Sequence, residues 1–120
     1  MKYVMLVHHD EQSFAQLDET IKAGMLEESI RLAHEIRSQG QYLAAPLQPT
    51  STATSVRVRD GKALVTDGPF AETREQLAGY FLVEAGDLDE AIRVAARIPG
   101  ARIGTVEIRP VRDVPGLPTA

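Results

Sequence analysis

The sequence predicts an α+β fold: an antiparallel sheet with two helices on one face and a β-hairpin inserted midway along the chain. Three observations carry that reading. Residues 2–8 and 77–84 alternate so that both faces of each strand are apolar, two other stretches carry a helical apolar stripe behind a good N-cap, and Asp60-Gly61 separates two alternating segments as a two-residue turn. With 120 residues, 43% apolar and 25% charged, the chain is one domain's worth and can build one core.

In the first strand Tyr3, Met5 and Val7 fall on one side and Val4, Leu6 and His8 on the other, the pattern of a central strand. Asp18 caps a helix that runs to about residue 39. Ile21, Met25, Leu32 and Ile36 form its stripe, Leu26, Ile30 and Ala33 widen it, and Gly40 supplies a left-handed stop. Residues 41–45 make a short strand and residues 48–52 a polar loop. In the hairpin Val58 faces Ala63 and Val56 faces Val65, so register and apolar face agree. Residues 77–84 form a second central strand, with Tyr80 and Leu82 on one face and Phe81 and Val83 on the other. Asp87 with Glu90 reads as a capping box; Leu88, Ala91, Ile92, Ala95 and Ile98 bury the helix that follows, and Pro99-Gly100 stops it. Residues 105–111 make the last strand, Val106 and Ile108 alternating with Glu107 and Arg109. The order is a ferredoxin-like βαββαβ with an inserted hairpin, its first and third core strands at the centre. The domain spans residues 1–112, and residues 113–120, rich in Pro and Gly, form a loose tail.

Two helices cover only one face of such a sheet, yet the central strands are apolar on both. Leaving the second face wet forgoes several kcal/mol at about 25 cal/mol per Å² of apolar area. A second copy packed sheet against sheet is the economical cover, so a homodimer is expected; the inserted hairpin folding back is the alternative.

Composition excludes several classes of function. Without cysteine there are no disulfides, thiolate nucleophiles or cysteine zinc sites, and a reducing cytoplasm is the simplest setting. MKYVMLVHHDEQ has too short an apolar run for an export signal, and no stretch approaches the ~20 apolar residues of a membrane helix. A formal charge of −4 disfavours nucleic acid, and Arg57, Arg59 and Lys62, the one tight basic group, read as a solvated hairpin face. GxSxG elbows, phosphate-cradling glycine loops and dinucleotide fingerprints are absent from the sequence.

The candidate chemistry lies at the strand ends. His8 and His9 close the first strand, where imidazoles bordering a cleft can move protons near neutral pH. Alternation sends them to opposite faces, so they cannot readily share a metal ion, and no metal is expected. His34, on the long helix, reads as an ordinary surface residue. Asp67-Gly68-Pro69-Phe70 reads as an ordered turn, with an Asx turn at Asp67 and Phe70 free to plug a groove. Alternatively Asp67 and Glu72 line a cleft, where burial raises a carboxyl pKa toward a useful general-base value. Residues 73–76 can instead be a short helical turn facing water. Ser29 interrupts the helical stripe, either to meet a ligand or to bond back to the Met25 carbonyl, and Tyr80 is a further ligand-binding candidate.

In its wording VTDGPFAETREQLAGYFLVEA, with IGTVEIRP at the closing strand, the chain resembles the DGPF branch of the YCII-related proteins over residues 1–111. That resemblance implies a dimeric α+β barrel, paired through its sheets with a cleft in each protomer. It also implies a catalytic His and Asp on the first helix, but these positions align with Ser29 and Ser38, so that pair cannot operate here. Two functions remain in view. One is a small cofactor-free acid–base enzyme, lyase, isomerase or dehydrohalogenase-like, acting on a small molecule through His8 or His9 with Asp67 and Glu72. The other, which the resemblance suggests, is a non-catalytic ligand-sensing or interaction module that partners an extracytoplasmic-function sigma factor.

Overall fold

The computed structural model describes residues 1–40 and 42–118. Its strands are β1 (Lys2–His9), β2 (Tyr42–Pro46), β3 (Thr54–Arg59), β4 (Lys62–Asp67), β5 (Gln76–Glu84) and β6 (Thr105–Pro110). Its helices are α1 (Glu11–Ala15), α2 (Glu19–Gln39) and α3 (Leu88–Ala96), with single 3₁₀ turns at Thr50–Thr52 and Pro99–Arg102. Four strands form one antiparallel sheet in the order β2-β5-β1-β6, so the two doubly apolar strands lie at its centre, as alternation predicts. The predicted second strand, residues 41–45, includes Gln41, which lies outside the described residues.

Both main helices pack on one face. There Tyr3, Met5 and Val7 of β1 and Phe81 and Val83 of β5 meet Leu32 and Ile36 of α2, Ala91 and Ala95 of α3, and Ile98. Met5, Val83 and Ile98 are at most 2% exposed, and a large apolar side chain buried this fully contributes about 1.5–3 kcal/mol. Asp18 caps α2 through the Thr20 N–H at 2.8 Å, and Asp87 caps α3 through the Glu90 N–H. Glu90 reaches back one residue further than a capping box requires, accepting from the Gly86 N–H at 2.7 Å. Gly40 ends α2 with φ 157° and ψ −163°, not the left-handed helical values expected, and its N–H bonds to the Arg37 carbonyl. Arg97 grips Glu35 through two nitrogens, which ties α3 to α2 and holds that carboxyl below its ordinary range.

The hairpin has the register the sequence gives it, Val56 opposite Val65 and Val58 opposite Ala63, and Asp60 (φ 51°) and Gly61 (φ 73°) make its turn. It does not fold back over the sheet. As a separate two-stranded ribbon it leaves Val56, Val58 and Val65 more than 60% exposed. With a radius of gyration of 16.3 Å the chain is more extended than the roughly 13.6 Å expected of a compact chain this long. Residues 113–118 follow β6 with Val114 and Leu117 exposed, and residues 119–120 lie outside the described set.

Candidate functional site

Local sequence places His9 in a formed site. Asp10, just past the end of β1, caps α1 by accepting from the Gln12 and Ser13 N–H groups at 2.9 and 3.1 Å. This one-turn helix carries no apolar stripe, because five residues show no periodicity. It delivers Phe14 onto His9, whose ring lies 4.5 Å away and nearly parallel at 13°. Glu11 then latches α1 in place. Its carboxylate accepts from the Thr50 N–H at 2.9 Å and the Thr50 hydroxyl at 3.0 Å, while its own N–H donates to Gln76 Oε1. Asp10→Ala should therefore cost about 1 kcal/mol and loosen the His9–Phe14 stack. Urea unfolding reads the first effect and the ring-current shift of the His9 protons the second; an unmoved shift would show that Phe14 is held by other contacts.

Behind this stack, between α2 and the sheet, lies a cavity of about 260 Å³. Its walls are mainly apolar, Met25, Ile30 and Ala33 from α2 facing Ala44 and Phe81 from the sheet. Phe14 and Lys22 stand with His9 at one end, the Lys22 ammonium 6.0 Å from the centre of the Phe14 ring. Burial is the largest influence on His9 and lowers its pKa; Glu11, Glu75 and Asp10 pull the other way without reversing it. The imidazole is thus held neutral at neutral pH, able to accept a proton.

The direction of that shift fixes a stability dependence. An unfolded chain takes up the His9 proton near pH 6.5, whereas the folded chain resists it until lower pH. The stability that neutral His9 confers is therefore present above that pH and declines as pH falls toward the folded value.

The predicted site residues separate into two groups. His9 and Ser29 line the cavity; Ser29 also donates to the Met25 carbonyl at 2.9 Å. Tyr80 borders it too, though alternation with buried Phe81 turns its ring to the other face, so its share of the wall is main chain. His8 points to the opposite side, 3.6 Å from Glu107. Ala78 has no partner where the β1–β5 register shifts between Val7 and His8, a bulge on the β5 side. Asp67, Phe70 and Glu72 are exposed and do not line the cavity, Phe70 at 81%. The expected gathering of His9 with Asp67 and Glu72 in one cleft is therefore not found within the chain, because the hairpin extends away from the sheet and carries the following loop with it. That loop is no helical turn: Thr73 donates to the Glu75 carbonyl, and Gln76 to that of Thr73. Gly68 (φ 99°) is held by hydrogen bonds to the Ala53 carbonyl and from the Ser55 hydroxyl.

Sequence reasoning missed Glu11, Phe14 and Lys22. Asp10 ahead of Glu-Gln-Ser-Phe was a legible cap signal for the first two; nothing local marks Lys22, which reaches the cavity by the rotation of α2. Among the described residues no three His, Asp or Glu side chains converge as a metal site would need, and no helix is long and apolar enough to cross a membrane.

The model of the YCII-related domain matches residues 1–115. The chain belongs to the YCII-related domain family. It is also 34% identical over 121 residues to an uncharacterized protein of Rhizobium meliloti (strain 1021), the alignment covering 92% of each chain. Within the family fold, this YCII-related domain carries its candidate proton-handling group on β1 and has serines at positions 29 and 38 of its long helix.

Proposed function

We infer that this YCII-related protein is a small cofactor-free acid–base enzyme whose proton-transfer group is His9. The observation that carries the reading is an imidazole stacked on Phe14 at the end of a largely apolar, partly open cavity, its pKa lowered by burial. A partly desolvated base with a lowered pKa is unprotonated at neutral pH, and apolar walls beside it strengthen its interaction with a bound substrate. Lyase, isomerase and dehydrohalogenase-like chemistry all begin with such a transfer. A cytoplasmic setting fits a chain without cysteine.

The test is solvent deuterium exchange into a panel of small ketones, lactones and carboxylic acids with acidic C–H bonds. Exchange should rise with pH along a single titration curve whose midpoint lies below 6.5, the ordinary histidine value. Absence of exchange across the panel, or a rate independent of pH, would sink the reading.

The working unit of this proposal is a homodimer. Val4, Leu6 and Leu82 lie on the sheet face opposite the helices, with Leu43 beside them 49% exposed and Glu107 and Arg109 of β6 at the side. An apolar centre flanked by both charge signs suits a twofold, self-complementary pairing. Leu82→Glu, which places a carboxylate at the centre of that face, should turn a dimer into a monomer in sedimentation at micromolar concentration. A wild-type chain that sediments as a stable monomer would remove this part of the proposal.

A second reading, a ligand-sensing or interaction module for a sigma factor, is favoured by the exposed valines of the hairpin. Stoichiometric recovery of a sigma factor with the protein from its native cell supports it, and recovery of the protein alone counts against it.

A further inference from the structure

The cavity beside α2 is one-sided in charge. The ionisable side chains that reach its wall are His9 and Lys22, and no carboxylate lines it. Asp10, Glu11 and Glu75 surround His9 from outside the wall, where Glu11 is bonded to Thr50 and Glu75 accepts from the Thr105 hydroxyl. Lys22 has its side chain only 21% exposed, so its stem lies against the protein and its ammonium emerges at the Phe14 end. The ammonium donates to the Ala15 carbonyl at 3.4 Å and has one charged partner, Glu19, at 2.7 Å, whose side chain is 89% exposed. A pair so open to water is weak and readily exchanged for another anion.

The rest of the cavity has the opposite character. From Lys22 to Ala33 the wall formed by α2 extends for about 16 Å along the helix axis, and Met25, Ile30 and Ala33 carry no charge along it. A buried apolar cavity of about 150 Å³ takes up benzene, so about 260 Å³ leaves room for a ring and a short chain. A second charge on the ligand would lie against this apolar wall, where an unpaired ion is costly. A neutral ligand would leave Lys22 with nothing to gain over Glu19.

We propose that this cavity binds a small monocarboxylate with an apolar body, its carboxylate between Lys22 and His9 and its body along α2. This names the substrate class for the acid–base site described above and rests on that reading for its use in catalysis. The Lys22 ammonium and the single N–H of neutral His9 can each donate to one carboxylate oxygen, which leaves the other imidazole nitrogen to accept a proton. The carboxylate also sets the acidic C–H at the His9 end, because both groups lie beside the same Phe14 ring.

The test uses 3-phenylpropanoate and its neutral isostere 3-phenylpropanamide, with binding followed by calorimetry and by the His9 ring-proton signals. The carboxylate should bind about tenfold or more tighter than the amide, the difference expected of a charge-assisted hydrogen bond. It should also raise the pH midpoint of the His9 signals, which the amide leaves in place. Lys22→Met should remove the preference and Lys22→Arg retain it, with circular dichroism confirming that both variants are folded. Equal binding of the two probes, a preference that survives Lys22→Met, or no binding of either at millimolar concentration overturns the proposed ligand class. Deuterium exchange without a carboxylate preference defeats this inference alone; a carboxylate preference without exchange defeats the acid–base reading and leaves a carboxylate-binding site.

Discussion

Gly104→Ala should lower the unfolding free energy by about 3 kcal/mol or more, because the position has no room for a methyl group. A Cβ built there would lie 2.0 Å from the His8 carbonyl oxygen and 3.0 Å from the His9 Cα. Both contacts are main chain of a central strand, so no side-chain rotation can relieve them. The end of β1 would have to move away from β6, where His8 pairs with Thr105, and His9 would move with it. Urea unfolding measures the loss, and the His9 ring-proton shifts report whether its stack on Phe14 survives. A loss under about 1 kcal/mol would show that the strand end yields easily.

His9→Gln should reduce proton exchange by about 10²–10⁴-fold, the usual contribution of a positioned general base. The amide keeps polarity and approximate size but cannot accept a proton near neutral pH, so the residual rate should lose its titration curve. The same variant checks a second consequence of the partly buried imidazole. Wild-type stability should decline as pH falls below the ordinary histidine value, and in His9→Gln that part of the decline should vanish. Retention of the wild-type exchange rate would assign the proton transfer to another group.

Much of the fold was legible because its signals are local. Alternation in residues 2–8 and 77–84 marked the central strands, Asp18 and Asp87 marked the helix starts, and Asp60-Gly61 set the hairpin register to the residue. The site was legible in part. Alternation was enough to separate His8 from His9, and the interrupted helical stripe was enough to raise Ser29. Asp10 ahead of Glu-Gln-Ser-Phe is a cap signal, but a five-residue helix has no periodicity to support it. Asp67, Phe70 and Glu72 drew attention by composition, but composition does not say where a hairpin points.

By itself, then, the sequence determined the elements, the register of the hairpin and the surplus of apolar surface on the central strands, all of which follow from the period of side chains along a chain. Only the tertiary structure decided that His9 meets Phe14 and Lys22 at the end of a cavity, and that the Asp67 loop stands apart from it. Those placements depend on the rotation of α2 and the direction of the β3–β4 ribbon, which are set by packing between distant segments and leave no mark in local spacing.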